Sequence, residues 1–251
     1  MNFRTFALSV LLVPMLLSSS APAAISPAAM GAVRYEVRYQ SNGINMKVAD
    51  ATISLENGNW KGQPVLHAHA SIQAVSLFRL FMNAEYLADS YLTKGRIEPL
   101  YYMNPIRKGG KEGKFECIYD GASKTVSMLF ARPSAEPVQQ TFPLDGRTMD
   151  LLSLLQFVRF LDSKEGSTLS MHVLKAGESV PAVLTAQGRD PERFPGVEAD
   201  RFLLKMSGKG LMENGSGDRI LVWRSRGNDR QLMGLEVNLG SGVMSVSVKS
   251  P

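Results

Sequence analysis

The sequence has little that could cross-link the chain or anchor it in a membrane. Its 251 residues include a single cysteine, Cys117, which excludes an internal disulfide. Beyond the first residues, no apolar run approaches the about 18 residues that indicate a transmembrane helix. We therefore expect a chain that does not span a membrane and that is stabilised by packing alone.

Motifs of catalysis and cofactor binding are also missing. The chain has no G-x-S-x-G nucleophile elbow and no Ser-x-x-Lys pair, and it lacks the glycine-rich loops that cradle phosphates. The formal net charge of +5 is mild, and it is not gathered into the basic face expected of a nucleic-acid binder. The sequence predicts no enzyme, no cofactor and no nucleic-acid partner.

One pair of histidines has a spacing found in metal sites. His67 and His69 would point to the same face of a strand, opposite the apolar row Leu66-Ala68-Ala70-Ile72. A zinc site needs at least a third protein ligand, for which His172 is the remaining histidine. The simpler interpretation is a solvated face, and no metal site is predicted.

The N-terminus has the pattern of a cleavable export signal. Arg4 precedes an apolar run from Phe6 to Leu17, and small residues follow as far as Ala24. The run is too short to cross a bilayer, which takes roughly 20 residues, and the three-part pattern is typical of a secretory signal peptide. We assign residues 1–23 to the signal peptide. Because no cysteine follows the run, lipidation is not expected, and the predicted location is the periplasm.

The rest of the chain alternates apolar and polar residues, which is typical of strands with one buried face. Val33, Tyr35 and Val37 alternate with charged residues, and Phe115-Cys117-Tyr119 repeats the pattern. Turn residues such as Glu56-Asn57-Gly58-Asn59 separate these runs. The pattern predicts a single β-rich domain over residues 31–251, with about a dozen strands. We expect a strongly curved antiparallel sheet or an incomplete β-barrel.

One segment has a helical pattern instead. Residues 149–162 are apolar on most of the helix circumference, with Thr148 placed as the cap and Asp150 in the first turn. Such a helix should be buried on several sides. It could lie across the concave face as a core helix, or line the mouth of a cavity that holds an apolar ligand. A shorter piece, residues 75–81, is a second helix or an irregular segment.

The polar stripe of the long helix supplies the first candidates for ligand binding. Arg159, among so many apolar neighbours, should need a carboxylate or anion partner; the partner is either a ligand or an Asp of an adjacent strand. The candidate ligand-binding residues are Ser153, Gln156 and Arg159, with Asp89, Tyr91 and Trp223 as weaker candidates. No catalytic residue is predicted.

The order and spacing of short motifs over residues 33–249 resemble an exported bacterial family of unknown function, domain-of-unknown-function family 3108. The motifs are, in chain order, Phe78-Arg79-Leu80, Asp89-Ser90-Tyr91-Leu92, Ile97-Glu98-Pro99-Leu100, Arg107, Glu112-Gly113, Asp150-Leu151-Leu152-Ser153, Phe157-Val158-Arg159, Val222-Trp223, Asn228-Asp229-Arg230 and Gly240. The resemblance implies export and a β-rich fold.

Three functions remain open from the sequence. The first is a periplasmic binding or carrier module for a lipid or another apolar envelope molecule. The second is a structural or assembly protein that binds another envelope protein along a sheet edge. The third is a hydrolase with an unidentified carboxylate site, which would require a cleft with converging acidic or histidine groups.

Overall fold

A single large sheet accounts for most of the chain. A computed structural model describes residues 30–75, 85–108, 111–133, 135–144, 146–175, 178–207 and 219–249. The strands are β1 (Gly31–Ser41), β2 (Ile44–Trp60), β3 (Gln63–Ala74), β4 (Glu85–Leu92), β5 (Pro99–Lys108), β6 (Lys111–Asp120), β7 (Thr125–Ala131), β8 (Val138–Pro143), β9 (Thr148–Asp150), β10 (Thr168–Lys175), β11 (Glu178–Arg189), β12 (Ala199–Met206), β13 (Arg219–Ser225), β14 (Leu232–Asn238) and β15 (Val243–Val248). The one helix of the described residues, α1 (Leu151–Phe160), follows β9.

The strands are joined almost entirely in chain order. The sheet runs β8-β7-β6-β5-β4-β3-β2-β1-β15-β14-β13-β12-β11-β10-β9, so β1 and β15 pair at its centre and β8 and β9 are its edges. Neighbours are antiparallel except β9 and β10, which are parallel. The sheet is strongly curved and is not closed into a barrel. The predicted mainly β fold is therefore confirmed.

The period-two alternation puts the apolar side chains on the concave face. Leu66 and Ala68 of β3 are buried in the main core, whereas His67 and His69 lie on the opposite, partly exposed face. Cys117 of β6 is fully buried in the same core. Burial of these apolar side chains stabilises the curvature of the sheet around its core.

The helix fills the concave side, as the core-helix interpretation requires. Helix α1 contacts β3, β4, β9 and β10, and every residue from Leu152 to Phe160 is buried. It is shorter than the predicted 149–162 because residues 148–150 pair with β10 as β9. Asp150 is the N-cap, and its side chain accepts from the Ser153 backbone N–H, so the expected cap at Thr148 is wrong.

Two predicted segments lie wholly or mostly outside the described residues. They are the signal peptide, residues 1–23, and the segment of residues 75–81. The turn expected at residues 56–59 is wrong, because β2 continues to Trp60 and the chain reverses at Lys61 and Gly62, both with positive φ. Among the described residues, no helix is long and apolar enough to cross a membrane.

Candidate functional site

A half-open pocket of about 520 Å³ lies beside the N-terminal end of α1. Five chain segments meet there: the β4–β5 turn, the start of β5, the end of β6, the residues around β9 and the start of β10. Its lining residues are Thr93, Glu98, Pro99, Leu100, Tyr119, Gly121, Leu144, Gly146, Arg147, Thr148, Met149, Leu169 and Ser170.

The β4–β5 turn gives the pocket a firm rim. The Thr93 N–H donates to the Glu98 carbonyl at 2.9 Å, and the Ile97 N–H donates to the Thr93 carbonyl at 3.2 Å. Ile97 has a φ of 53°, which is rare for a β-branched residue, and its side chain is fully buried. Burial therefore holds the turn in a strained conformation, with Pro99 and Leu100 forming an apolar wall.

Arg147 is the cation of the pocket. Its guanidinium carbon lies 4.2 Å from the centre of the Phe157 ring, and its backbone carbonyl accepts from the His172 N–H at 2.8 Å. Burial lowers the pKa of Arg147, and the nearby Glu98 carboxylate partly opposes that shift. The guanidinium nevertheless stays charged at any physiological pH.

Behind the pocket lies a buried acid. The Asp150 carboxylate accepts from the Ser153 N–H at 2.8 Å, from the Tyr119 hydroxyl at 3.3 Å and from the Ser90 hydroxyl at 3.4 Å. The Ser153 hydroxyl donates to it as well. Burial raises the pKa of Asp150, and the hydrogen bonds from Ser153 and Tyr119 oppose the rise. Since Tyr119 also lines the pocket, its hydrogen bond to Asp150 fixes one wall of the pocket to the start of α1.

The other two stripe residues of α1 lie further along the helix. The Arg159 guanidinium donates to the Gln156 side-chain oxygen at 2.9 Å and to the Arg230 carbonyl at 3.1 Å. Both residues are buried, and burial lowers the pKa of Arg159. The contacts join the helix to the β13–β14 connection.

Asp89 and Tyr91 lie on the convex face of the sheet. One oxygen of Asp89 is 2.7 Å from His67 Nε2 and 3.0 Å from His69 Nδ1. Tyr91 stacks on His67 at 4.6 Å between ring centres, and Trp60 packs against Tyr91 at 4.8 Å. Among the described residues, no group of three or more His, Cys, Asp or Glu side chains could hold a metal ion.

Trp223 is held on the outer face of β13 by the residues just after β11. Its indole N–H donates to the Asp190 carboxylate at 2.9 Å, and the Phe194 ring meets it edge-on at 6.2 Å. The Arg193 guanidinium lies over the indole, 5.1 Å from the ring centre. Trp223 is buried, so its contacts with residues 190–194 hold the β11–β12 loop against the sheet.

The six candidate residues therefore do not form one site. Ser153 alone approaches the pocket, through Asp150 and Tyr119. Gln156 and Arg159 lie further along α1. The remaining three lie on the outer face of the sheet, Asp89 and Tyr91 on β4 and Trp223 on β13. Their role in binding stays a prediction. Sequence reasoning missed Arg147, although one signal was present: it is a lone cation just before the longest apolar segment beyond residue 30.

Comparisons with known proteins agree with the fold. The profile of a family described as "Protein of unknown function (DUF3108)" matches residues 34–247. A β-barrel-like protein of domain of unknown function DUF1849 from Brucella abortus superposes with a TM-score of 0.53 at 7% identity, over 87% of this chain and 95% of that one. The Mycobacterium tuberculosis lipoprotein LppX gives a TM-score of 0.29 at 13% identity, over 88% and 85%. The first likeness supports the fold alone, and the second is too slight to carry an argument. A comparison with curated proteins found no match.

Proposed function

The chain belongs to the DUF3108 family of proteins of unknown function, and we propose that it is an exported, non-enzymatic binding module for an apolar or lipid-like ligand of the bacterial envelope. The observation that carries the proposal is the pocket beside α1. Its volume of about 520 Å³ falls within the about 300–1,000 Å³ of small-molecule sites.

The lining of the pocket favours an apolar ligand. Leu100, Leu144 and Leu169 contribute partly exposed aliphatic surface on different sides, and the buried Pro99 and Met149 lie behind it. Covering such surface with an apolar ligand is favourable in water, at roughly 25 cal/mol for each Å² removed from solvent. The concave face itself is occupied by α1, so the ligand space in this proposal lies beside the helix rather than beneath it.

Strand addition at a sheet edge has weaker support. A docking edge should be long and exposed, but β9 has three residues and is buried. The other edge, β8, is exposed, but it has only six residues, half of them polar, and it ends in Pro143. Proline at an edge is one of the devices that block further pairing.

A hydrolase has weaker support as well. Polar side chains converge at two acids, Asp150 and Asp89. Asp150 is buried as the cap of α1, and Asp89 lies with His67 and His69 on the convex face. Neither acid lines the pocket beside α1. The carboxylate–histidine arrangement thus lacks the cleft that hydrolysis of a bound substrate would require.

The test is native mass spectrometry of the full chain, expressed in a bacterial host with its own leader and purified gently from the envelope fraction. The native protein is compared with Leu169→Trp, which places an indole in the pocket, and with Ile118→Trp, a matched change at a residue 43% exposed on the convex face. The thermal midpoint of each variant reports whether it folds. The protein mass also reports cleavage after residue 23 or 24.

The expected result is a bound small molecule on the native protein and on Ile118→Trp, and its loss from Leu169→Trp. Lipid extraction of the same sample would identify it. A bare native protein, with no rise in thermal midpoint on adding an extract of envelope lipids, would overturn the proposal.

A further inference from the structure

We propose that the pocket beside α1 selects a single-chain amphiphile with an anionic head group, which Arg147 binds while the apolar walls take the tail. This inference rests on the proposed binding function and specifies its ligand class. The carboxylate of a fatty acid and the phosphate of an alkyl phosphate share the required head-group chemistry.

The first argument is the unmet hydrogen-bonding capacity of Arg147. A guanidinium carries five N–H donors and no acceptor. Among the described residues, none offers an acceptor within hydrogen-bonding distance of these donors. The side chain lies over the Phe157 ring and is attracted by the Glu98 carboxylate without a hydrogen bond to it. A half-buried cation without an acceptor is costly unless a partner arrives, and a carboxylate or phosphate matches its planar fork.

The second argument is the balance of charge at the pocket mouth. Glu98, which also lines the pocket, lies 3.9 Å from the Arg96 guanidinium. Arg96 and Glu98 therefore offset each other, and among the described residues at the mouth Arg147 leaves a net positive charge. An arriving anion meets a favourable potential, whereas a cationic head group would be repelled.

The third argument is that the cation and the apolar surface adjoin. Arg147 precedes Thr148 and Met149 along the chain, and Leu144 and Leu169 line the same space. A ligand that satisfies both must carry its charge at one end and hydrocarbon at the other. A pocket of about 520 Å³ is of drug-molecule size, which favours one chain over the two of a membrane phospholipid.

The experiment measures binding by isothermal titration calorimetry at neutral pH, with each amphiphile kept below its micelle concentration. The ligands are dodecanoate, dodecyl phosphate and uncharged dodecanol, with acetate and inorganic phosphate as head groups without a tail. The proteins are the native chain purified after export, Arg147→Met, and Arg189→Met as the matched control. Arg189 is 65% exposed, lies 3.9 Å from Glu198 and does not line the pocket.

We expect the native protein to bind at least one anionic amphiphile about tenfold to a hundredfold more tightly than dodecanol, the effect of one charge-assisted interaction. Arg147→Met should remove this preference and leave the dodecanol affinity unchanged. Arg189→Met should keep the preference.

Equal binding of dodecanol and both anions to the native protein would overturn this inference and leave the binding function intact. Inorganic phosphate or acetate binding as tightly as its alkyl counterpart would also overturn it, because the tail would then contribute nothing. Absence of binding by all three twelve-carbon ligands would count against the inference and the binding function together. The comparison on the native protein decides the outcome even if Arg147→Met fails to fold.

Discussion

The guanidinium carbon of Arg147 lies 4.2 Å from the centre of the Phe157 ring, and this contact connects the pocket to the core. Phe157 is fully buried in α1, so its ring is held rigidly by its neighbours. A cation over an aromatic face gains about 0.5–2 kcal/mol, depending on its exposure to water. The contact thus orients the cation without occupying the N–H donors at the guanidinium edge, which remain available to an anion.

The hydroxyl of Thr148 should contribute nothing favourable to the stability of the unliganded protein. Thr148 is buried in β9, and its Oγ1 has no hydrogen-bond partner among the described residues. A buried polar group without a partner is unfavourable, so Thr148→Val should stabilise the protein by about 1 kcal/mol. Urea unfolding measures the change, with exposed Thr141→Val as the control, expected within about 0.5 kcal/mol of the native protein.

A loss of about 1 kcal/mol or more in Thr148→Val, with Thr141→Val unchanged, would contradict this expectation. It would mean that the hydroxyl has a hydrogen-bond partner in the folded protein.

The buried acid Asp150 should make stability depend on pH. Burial raises its folded-state pKa above its ordinary value, so folding favours the protonated form. The stabilisation relative to a neutral residue is present below the ordinary pKa and is lost as pH rises through the raised folded value. Asp150→Asn keeps the shape and an N-capping side chain, and the surrounding hydroxyls can donate or accept.

We therefore expect the native protein to lose stability relative to Asp150→Asn between about pH 4 and neutrality. Urea unfolding of both proteins across this range gives the difference, in which all other titrating groups cancel. Asp120→Asn, at the exposed end of β6, is the control for a carboxylate whose pKa is lowered by hydrogen bonds from Ser123. The native protein should gain stability relative to Asp120→Asn as pH rises. A native protein that gains stability relative to Asp150→Asn as pH rises would show that the hydrogen bonds outweigh burial.

The sheet was predictable because its signal is local. Alternation in β1, β3 and β6 is visible within a few residues, and it correctly places Tyr35, Leu66 and Cys117 in the core. The apolar helix is visible for the same reason. The residue at which the helix begins was not visible in the sequence. It depends on the parallel pairing of Thr148 with His172, which lies in a strand later in the chain.

The local turn signal at Asn57-Gly58 failed for a related reason. Gly58 lies opposite Val65 inside the β2–β3 ladder, where an added Cβ would come 3.2 Å from His67 Cβ. The glycine serves close packing on the convex face rather than a chain reversal. The pocket was equally hidden, since its residues come from five segments that only the fold brings together.

Arg224 should be far more important for stability than an exposed arginine. It is buried, donates to the carbonyls of Val158 and Arg159 at 3.0 and 3.2 Å, and lies 3.1 Å from the Asp200 carboxylate. These contacts satisfy carbonyls at the end of α1 that have no helical partner. Arg224→Met should destabilise the protein by about 3–5 kcal/mol in urea unfolding, since it breaks a largely buried pair.

The matched control for Arg224 is Arg189→Met. Arg189 lies 3.9 Å from Glu198, and both side chains are well exposed, at 65% and 70%. The expected loss is at most about 1 kcal/mol. Similar losses in the two variants would contradict the assignment of Arg224 as the C-terminal anchor of the helix.

Gly234 in β14 should be intolerant of even one added carbon. A Cβ there would come 2.5 Å from the Val246 carbonyl oxygen and 3.1 Å from Phe194 Cζ. The nearer atom is backbone in the paired strand β15, which cannot yield without disturbing the ladder. Gly234→Ala should therefore cost about 1–3 kcal/mol, the usual penalty of overpacking. Gly95→Ala, where nothing lies within 4 Å, should stay within about 0.5 kcal/mol of the native protein. If urea unfolding found Gly234→Ala as stable as Gly95→Ala, β14 and β15 could not pair in this register.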